Sequence, residues 1–242
     1  MIACIDGDIV SYRCAAVTEN EHRDIALYRT DDLIHRILNE TGCSEYKIFI
    51  GGSSNFRHQV YPEYKSHRKE MTRPKWLEEV RAHLVVTWKA QVADDVEADD
   101  LLGINQTEDT ICCSIDKDLL QIPGHHYNFV KQEKKYVSVR EGLLNFYKQL
   151  ILGDRTDYIP GYDGKFRSSV PNFILHYYRS LEEKETELEM FQYVLGLYQE
   201  YNTDEEALRL IERNGKCLYI MRKENDFWQI PNGHQQENVL LS

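Results

Sequence analysis

Nowhere among the 242 residues is there a run of about eighteen apolar side chains, which excludes a membrane-spanning helix. The six cysteines, Cys4, Cys14, Cys43, Cys112, Cys113 and Cys217, make no CxxC pair and lie mostly in apolar runs. That pattern reads as buried free thiols in a reducing cytosol, so a cytoplasmic protein is expected. The nine histidines are scattered and match no zinc array. Met1 to Cys4 begins a strand and lacks the charged region and cleavage site of a secretory signal. Internal repeats and low-complexity segments are missing too.

Positive charge is in deficit: 29 Lys and Arg stand against 40 Asp and Glu, a net charge of −11 that by itself counts against a nucleic-acid partner. The distribution qualifies the sum. Between residues 57 and 81 the basic Arg57, Lys65, Arg68, Lys69, Arg73, Lys75 and Arg81 outnumber Glu63, Glu70, Glu78 and Glu79. A second basic group comprises Lys131, Lys134, Lys135 and Arg140. Such patches are compatible with a phosphate-bearing substrate.

What the chain does have is clustered acid beside apolar residues. Glu97, Asp99 and Asp100 run straight into Leu101 and Leu102, and Asp116 and Asp118 precede Leu119 and Leu120. Asp154 and Asp157 follow. Acids at a helix start also complement the macrodipole, which for Glu97 to Asp100 alone is an equal reading. The recurrence favours a site of hard oxygen donors suited to magnesium or manganese. Phosphodiester hydrolysis uses two such ions about 3.5–4 Å apart to activate water and stabilise the leaving oxygen. Asp6, Glu97, Asp99, Asp100, Asp116, Asp118, Asp154 and Asp157 are the candidate ligands.

Periodicity orders the elements. Residues 1–5 read as a buried strand, 9–17 as a helix, 24–30 as a strand or extended edge, and 31–40 as a helix with Leu33, Ile34, Ile37 and Leu38 buried. Strands are expected at 46–50, 109–114, 127–130 and 136–139, with a helix opening at 96–103. This α/β alternation predicts a mainly parallel twisted sheet, with Asp6 and Asp116 at carboxyl ends of strands, where functional groups gather. Residues 56–89 form a polar, basic and aromatic insertion without a continuous core stripe. Within it, Lys65 and Arg68 share a face if helical and can reach a scissile phosphate, and Tyr64 can stack on a nucleobase. A solvated basic face is the commoner use of such residues. Helices follow at 140–152, 168–179, 181–201 and 204–213, broken at 153–164 by a Gly/Pro-rich turn fit to approach a phosphate or a monovalent cation, or merely to connect two helices. The tail, 232–242, reads as loosely ordered.

At Ile5-Asp6-Gly7-Asp8, Pro62 to Arg68, Val96 to Gly103, Ser114 to Asp118 and Gly153 to Gly164, the sequence resembles the flap endonuclease and 5′→3′ exonuclease superfamily, most nearly its small bacteriophage exonucleases. The motifs come in the family's order and cover residues 1 to about 170; the end, 212–228, also looks like the close of the phage exonucleases. The resemblance implies a PIN-like nuclease core over 1–139 with a helical arch at about 57–90. It implies a helical region over 140–242 carrying a helix–turn–helix variant from 152 to about 167, the whole forming a single compact unit. It further implies that the eight acids hold two magnesium or manganese ions and that Lys65, Arg68 and Tyr64 serve catalysis on the arch. Arg57, Lys69, Arg73, Gly161, Gly164 and Lys165 are then candidates for gripping DNA.

The expected partner is DNA with a 5′ end, flap or nick, or an RNA–DNA hybrid, with no membrane, in a host cytoplasm if the gene is a phage's. Two departures stand out. Gly51-Gly52-Ser53 occupies the place of a family Asp after the second strand, with Asp8 as a candidate substitute, and Phe166 replaces a glycine of the turn. The lost carboxylate keeps open a catalytically weak DNA-binding module, and a PIN-like ribonuclease is the rival among enzymes.

Overall fold

The structure, a computed structural model, describes residues 1–70 and 72–232, without the side chains of residues 69 and 70. In chain order the elements are β1 (Ile2–Asp6), α1 (Gly7–Val17), α2 (Arg23–Thr41), β2 (Glu45–Ile50), α3 (Arg57–Val60), α4 (Leu77–Val86), β3 (Gln91–Val92), α5 (Ala98–Asn105), β4 (Thr110–Cys113), β5 (Gly124–Asn128) and β6 (Glu133–Val137). Then come α6 (Val139–Leu152), β7 (Gly153–Asp154), β8 (Ile159–Pro160), α7 (Asn172–Glu182), α8 (Glu187–Gln199) and α9 (Asp204–Leu218). The chain divides into two compact units, one of residues 1–56, 70–139 and 220–226, the other of 57–69, 140–219 and 227 onward.

The first unit is a six-stranded sheet in the order β3-β2-β1-β4-β5-β6, parallel except for β6. Side chains alternate along each strand and so serve two cores. Ala3, Ile5, Ile48, Ile50, Ile111 and Cys113 pack with Val10 and Cys14 of α1, Leu33, Ile34 and Ile37 of α2, and Leu84 of α4. Cys4, Phe49 and Cys112, one residue out of phase, pack with Ala98 and Leu102 of α5. Burying each such aliphatic side chain stabilises the unit by about 1.5–3 kcal/mol. All six cysteines are buried and unbridged.

Two sequence expectations change here. Residues 24–30 are not extended but form the first half of α2, where Ala26 and Thr30 continue the buried stripe. The stripe was masked because Ala26 is small and Thr30 is polar, its hydroxyl donating to the Ala26 carbonyl at 2.9 Å. The insertion at 56–89 does have a core stripe: Val80 and Leu84 of α4 are fully buried, four residues apart. It contributes α3 and a 3-10 turn, Ser66–Glu70, to its first part and α4 to its second.

The second unit is helical. Leu143, Leu144, Phe146, Tyr147, Leu150 and Ile151 give α6 a broad buried face, packed with Ile174, Leu181, Val194, Tyr198 and Ile211. After α6 the break is not a plain turn between helices. Gly153, at φ 77, reverses the chain into the β7–β8 hairpin. The next helix starts at Asn172 rather than 168, because Pro171 disfavours helical backbone at Val170 and itself caps α7. Among the described residues no helix is long and apolar enough to cross a membrane. The tail beyond 232 lies outside the described residues.

Candidate active site

In the first unit β1 delivers Asp6 to its carboxyl end, where the residue also caps α1. Its carboxylate accepts from Ile9 N–H at 3.0 Å and from the Ser114 hydroxyl, beyond β4, at 2.7 Å. Gly7 is needed beside it: a Cβ there would meet the Phe49 carbonyl at 2.7 Å. Ser114 also accepts from Asp116 N–H at 3.0 Å, and Asp116 accepts from Asp118 N–H at 2.9 Å, so the β4 turn presents its two acids in a fixed hairpin of hydrogen bonds. Burial, reinforced by the charges of Asp8 and Asp116, pushes the Asp6 carboxyl up to about 7 despite those two donors.

Glu97 and Asp100 form the capping box of α5, the Glu97 N–H donating to Asp100 at 2.9 Å. Asn55 donates to Glu97 at 2.8 Å. Asp100 is fully buried, and its other oxygen accepts from Met221 N–H at 3.1 Å. Like Asp6, it accepts hydrogen bonds on both oxygens, here from main-chain donors that pin α5 to the 220–226 segment, which gives this candidate ligand a structural role as well. Asp99 stands beside it in the first helical turn. Asp8 accepts from Gly51 N–H at 2.8 Å and pairs with Arg81, which also donates to the Gly51 carbonyl. It therefore does reach the place left by the absent Asp after β2, but as the partner of an arginine.

The donors that gather here are oxygens, matching a hard divalent cation rather than zinc. Among the described residues no three His, Cys, Asp or Glu side chains stand close enough to hold an ion as they are. The Asp6 carboxyl is raised by burial first, with the Asp8 and Asp116 charges adding to it, and a cation bound here would offset both.

The eight candidate ligands divide six and two between the units, since Asp154 and Asp157 belong to the second. Asp154 accepts from Thr156 N–H at 2.6 Å. Asp157 gathers the basic motif: Arg68 donates to it at 2.8 Å, the Lys65 ammonium is 3.6 Å away, and the Tyr64 hydroxyl donates at 2.8 Å. Lys65 and Arg68 do not share a helix face, because Lys65 has φ 54 and precedes the 3-10 turn. Tyr64 is no base-stacking platform either. Its ring is 1% exposed in the core of this unit, where the apolar surface is buried and the hydroxyl satisfied.

Arg57, expected to grip DNA, is 1% exposed and donates at 2.8 Å to the carbonyls of Cys217 and Tyr219. A cation at the carboxyl end of α9 satisfies orphan carbonyls and the helix dipole together. Gly161 is also withdrawn, its N–H donating to the Lys165 carbonyl and its α-carbon pressed on the end of α6. Gly164 (φ 75), Lys165 and Arg73 are exposed; the Lys69 side chain lies outside the described residues. Sequence reasoning missed Asn55 altogether, and it named Ser114 and Arg81 only as members of a motif and a basic stretch, without their partners Asp6 and Asp8.

A family profile described as 5′-3′ exonuclease, N-terminal resolvase-like domain, matches residues 1–147. The 5′-3′ exonuclease of Buchnera aphidicola subsp. Schizaphis graminum is 29% identical over 191 residues, 66% of this chain and 64% of that protein. DNA polymerase I of Bacillus caldotenax is 26% identical over 197 residues, 67% of this chain and 22% of that protein. The chain thus spans less than two thirds of either relative. A crystal structure of the bacteriophage T5 flap endonuclease with DNA and metal ions superposes with a TM-score of 0.61 at 15% identity, covering 88% of each chain, and shares the fold. With the profile match taking in β1, the α5 acids and the β4 turn, the chain belongs to the 5′-3′ exonuclease family.

Proposed function

We propose that the chain is a metal-dependent 5′→3′ exonuclease and flap endonuclease that hydrolyses DNA phosphodiesters. The observation that carries this reading is Asp6, a carboxyl buried at the end of a central strand and raised to about 7 beside Asp8 and Asp116. A bound cation would offset the cost of charging such a carboxyl beside two other acids. Support comes from the family match and from the T5 flap endonuclease, which holds DNA and metal ions.

Asp6, Glu97, Asp99, Asp100, Asp116 and Asp118 would hold magnesium or manganese, and by the family resemblance Asp154 and Asp157 would belong to the ligand set as well. Two ions, when bound, supply a water nucleophile and charge stabilisation for the leaving oxygen. The chain's own residues do the rest. Ser114 and Ile9 N–H orient Asp6 through its two oxygens, while Asp100 and Asn55 set the rotamer of Glu97. Arg68 and Lys65 are held ready by Asp157 until a phosphate, a stronger acceptor, takes them over and has its developing charge steadied. Lys165, its ammonium 3.6 Å from Asp163, is exposed with Gly164 and would meet the duplex backbone, and the turn would take a monovalent cation. Substrates would be a 5′ end, flap or nick, RNA–DNA hybrids included, in the cytoplasm where primers are removed.

A 5′-labelled flap incubated with magnesium tests the proposal. Wild type should release short labelled products, and chelator or Asp116→Ala should abolish them. Binding of the flap without cleavage by wild type would favour instead a DNA-binding module, the reading motivated by Gly51-Gly52-Ser53.

A further inference from the structure

In the second unit the rings of Tyr158 and Phe166 stack, with centroids 4.6 Å apart and planes 25° from parallel. His67 adds a third ring at 5.9 Å from Tyr158, tilted by 32°. This ladder is not core: Phe166 is 39% exposed, and Tyr158 and His67 are only half-buried. Nor is it relaxed. Tyr158 sits at φ 60, a backbone region that a bulky side chain rarely adopts. The His67 Nδ1 is buried with no hydrogen-bond partner among the described residues.

Cations and acids both stand near the rings: Asp157, next to Tyr158 in sequence, pairs with Arg68, and the Lys165 ammonium is 3.6 Å from Asp163. Arg155 and Lys165 are exposed on either side of the hairpin and turn, and Arg68 is 44% exposed. Arg155 is steered by a hydrogen bond to Ser168 at 3.2 Å. A stacked aromatic surface flanked by cations fits one chemical class of ligand, an unpaired nucleobase with its phosphates. Phe166 is also the residue by which this turn departs from the family's glycine.

We propose that Tyr158 and Phe166 are a stacking platform for an unpaired base of the DNA substrate, with the His67 ring packed against Tyr158 as its support. The platform selects DNA with a single-stranded arm over plain duplex. The proposal rests on the nuclease reading above and adds residues that reading does not use.

The test is fluorescence and anisotropy with a flap oligonucleotide carrying 2-aminopurine at its first unpaired position. Calcium serves as the hard cation, and gels check that the DNA stays intact. Wild type should quench the probe severalfold. Phe166→Ala should restore most of the emission and weaken flap binding about 5- to 30-fold, while affinity for blunt duplex changes less than about twofold. Phe166→Tyr should behave as wild type, and Tyr158→Ala as Phe166→Ala. Unaltered quenching and affinity in both alanine variants overturn the platform alone. Failure of wild type to bind any DNA overturns the nuclease reading and the platform with it.

Discussion

The hydroxyl of Tyr64 donates to Asp157 at 2.8 Å across 93 residues of sequence. The same carboxylate receives Arg68 and stands near Lys65. One acid thus gathers Tyr64, Lys65 and Arg68, of which Tyr64 is buried and Arg68 is 44% exposed. Asp157→Asn should keep the fold but loosen Lys65 and Arg68 from their poised positions. Cleavage should fall at least tenfold, with the loss in kcat rather than KM, since the two cations act on charge that develops in the transition state. Single-turnover and steady-state kinetics separate the two effects.

Arg57 gives the opposite expectation. Its guanidinium holds two carbonyls at the end of α9 and faces no solvent. Arg57→Ala should lower stability by about 2–4 kcal/mol, from lost charge-assisted hydrogen bonds and packing. Denaturant unfolding measures this. DNA affinity of the variant below its transition should equal that of wild type.

Asp6 makes the metal-free protein sensitive to pH. Its carboxyl is raised from an ordinary 3.8 to about 7, burial first and the Asp8 and Asp116 charges after it. The folded chain therefore holds this proton more tightly than the unfolded chain. The stability it contributes is fully present below pH about 4 and is lost as pH rises through about 7. Thermal melts in chelator should show stability falling between pH about 4 and about 7 and levelling above it, and Asp6→Asn should flatten that fall while abolishing cleavage. Divalent metal should restore wild-type stability at pH 8.

Asp100 has a structural role in the acidic cluster that can be measured without metal. Asp100→Ala leaves the N–H groups of Glu97 and Met221 without their acceptor, at about 1–3 kcal/mol each. Asp116→Ala removes an acid from the cluster around Asp6 and should raise metal-free stability slightly. Melting curves of the two variants should move in opposite directions.

Much of this was legible in the sequence because the sheet's strands are short apolar runs that end at acids. Asp6 was expected at a strand end and closes β1, while Asp116, expected likewise, follows the end of β4 by three residues. The first half of α2 escaped because Ala26 and Thr30 stand where a helix stripe is normally written in Leu and Ile. The burial of Arg57 and Tyr64 escaped for a different reason. Their side chains read as ligand-facing by type, and only tertiary partners 160 and 93 residues away turn them inward. The structural role of Asp100 escaped similarly, since a capping box and a metal ligand share the same residue type at the same spacing.

The most direct measurement counts bound manganese by electron paramagnetic resonance while following single-turnover cleavage of a labelled 5′ flap. The account predicts two ions per chain, cleavage that rises with their occupancy, and loss of both in Asp6→Asn and Asp116→Ala. Wild-type protein that leaves the flap intact at saturating manganese would contradict it.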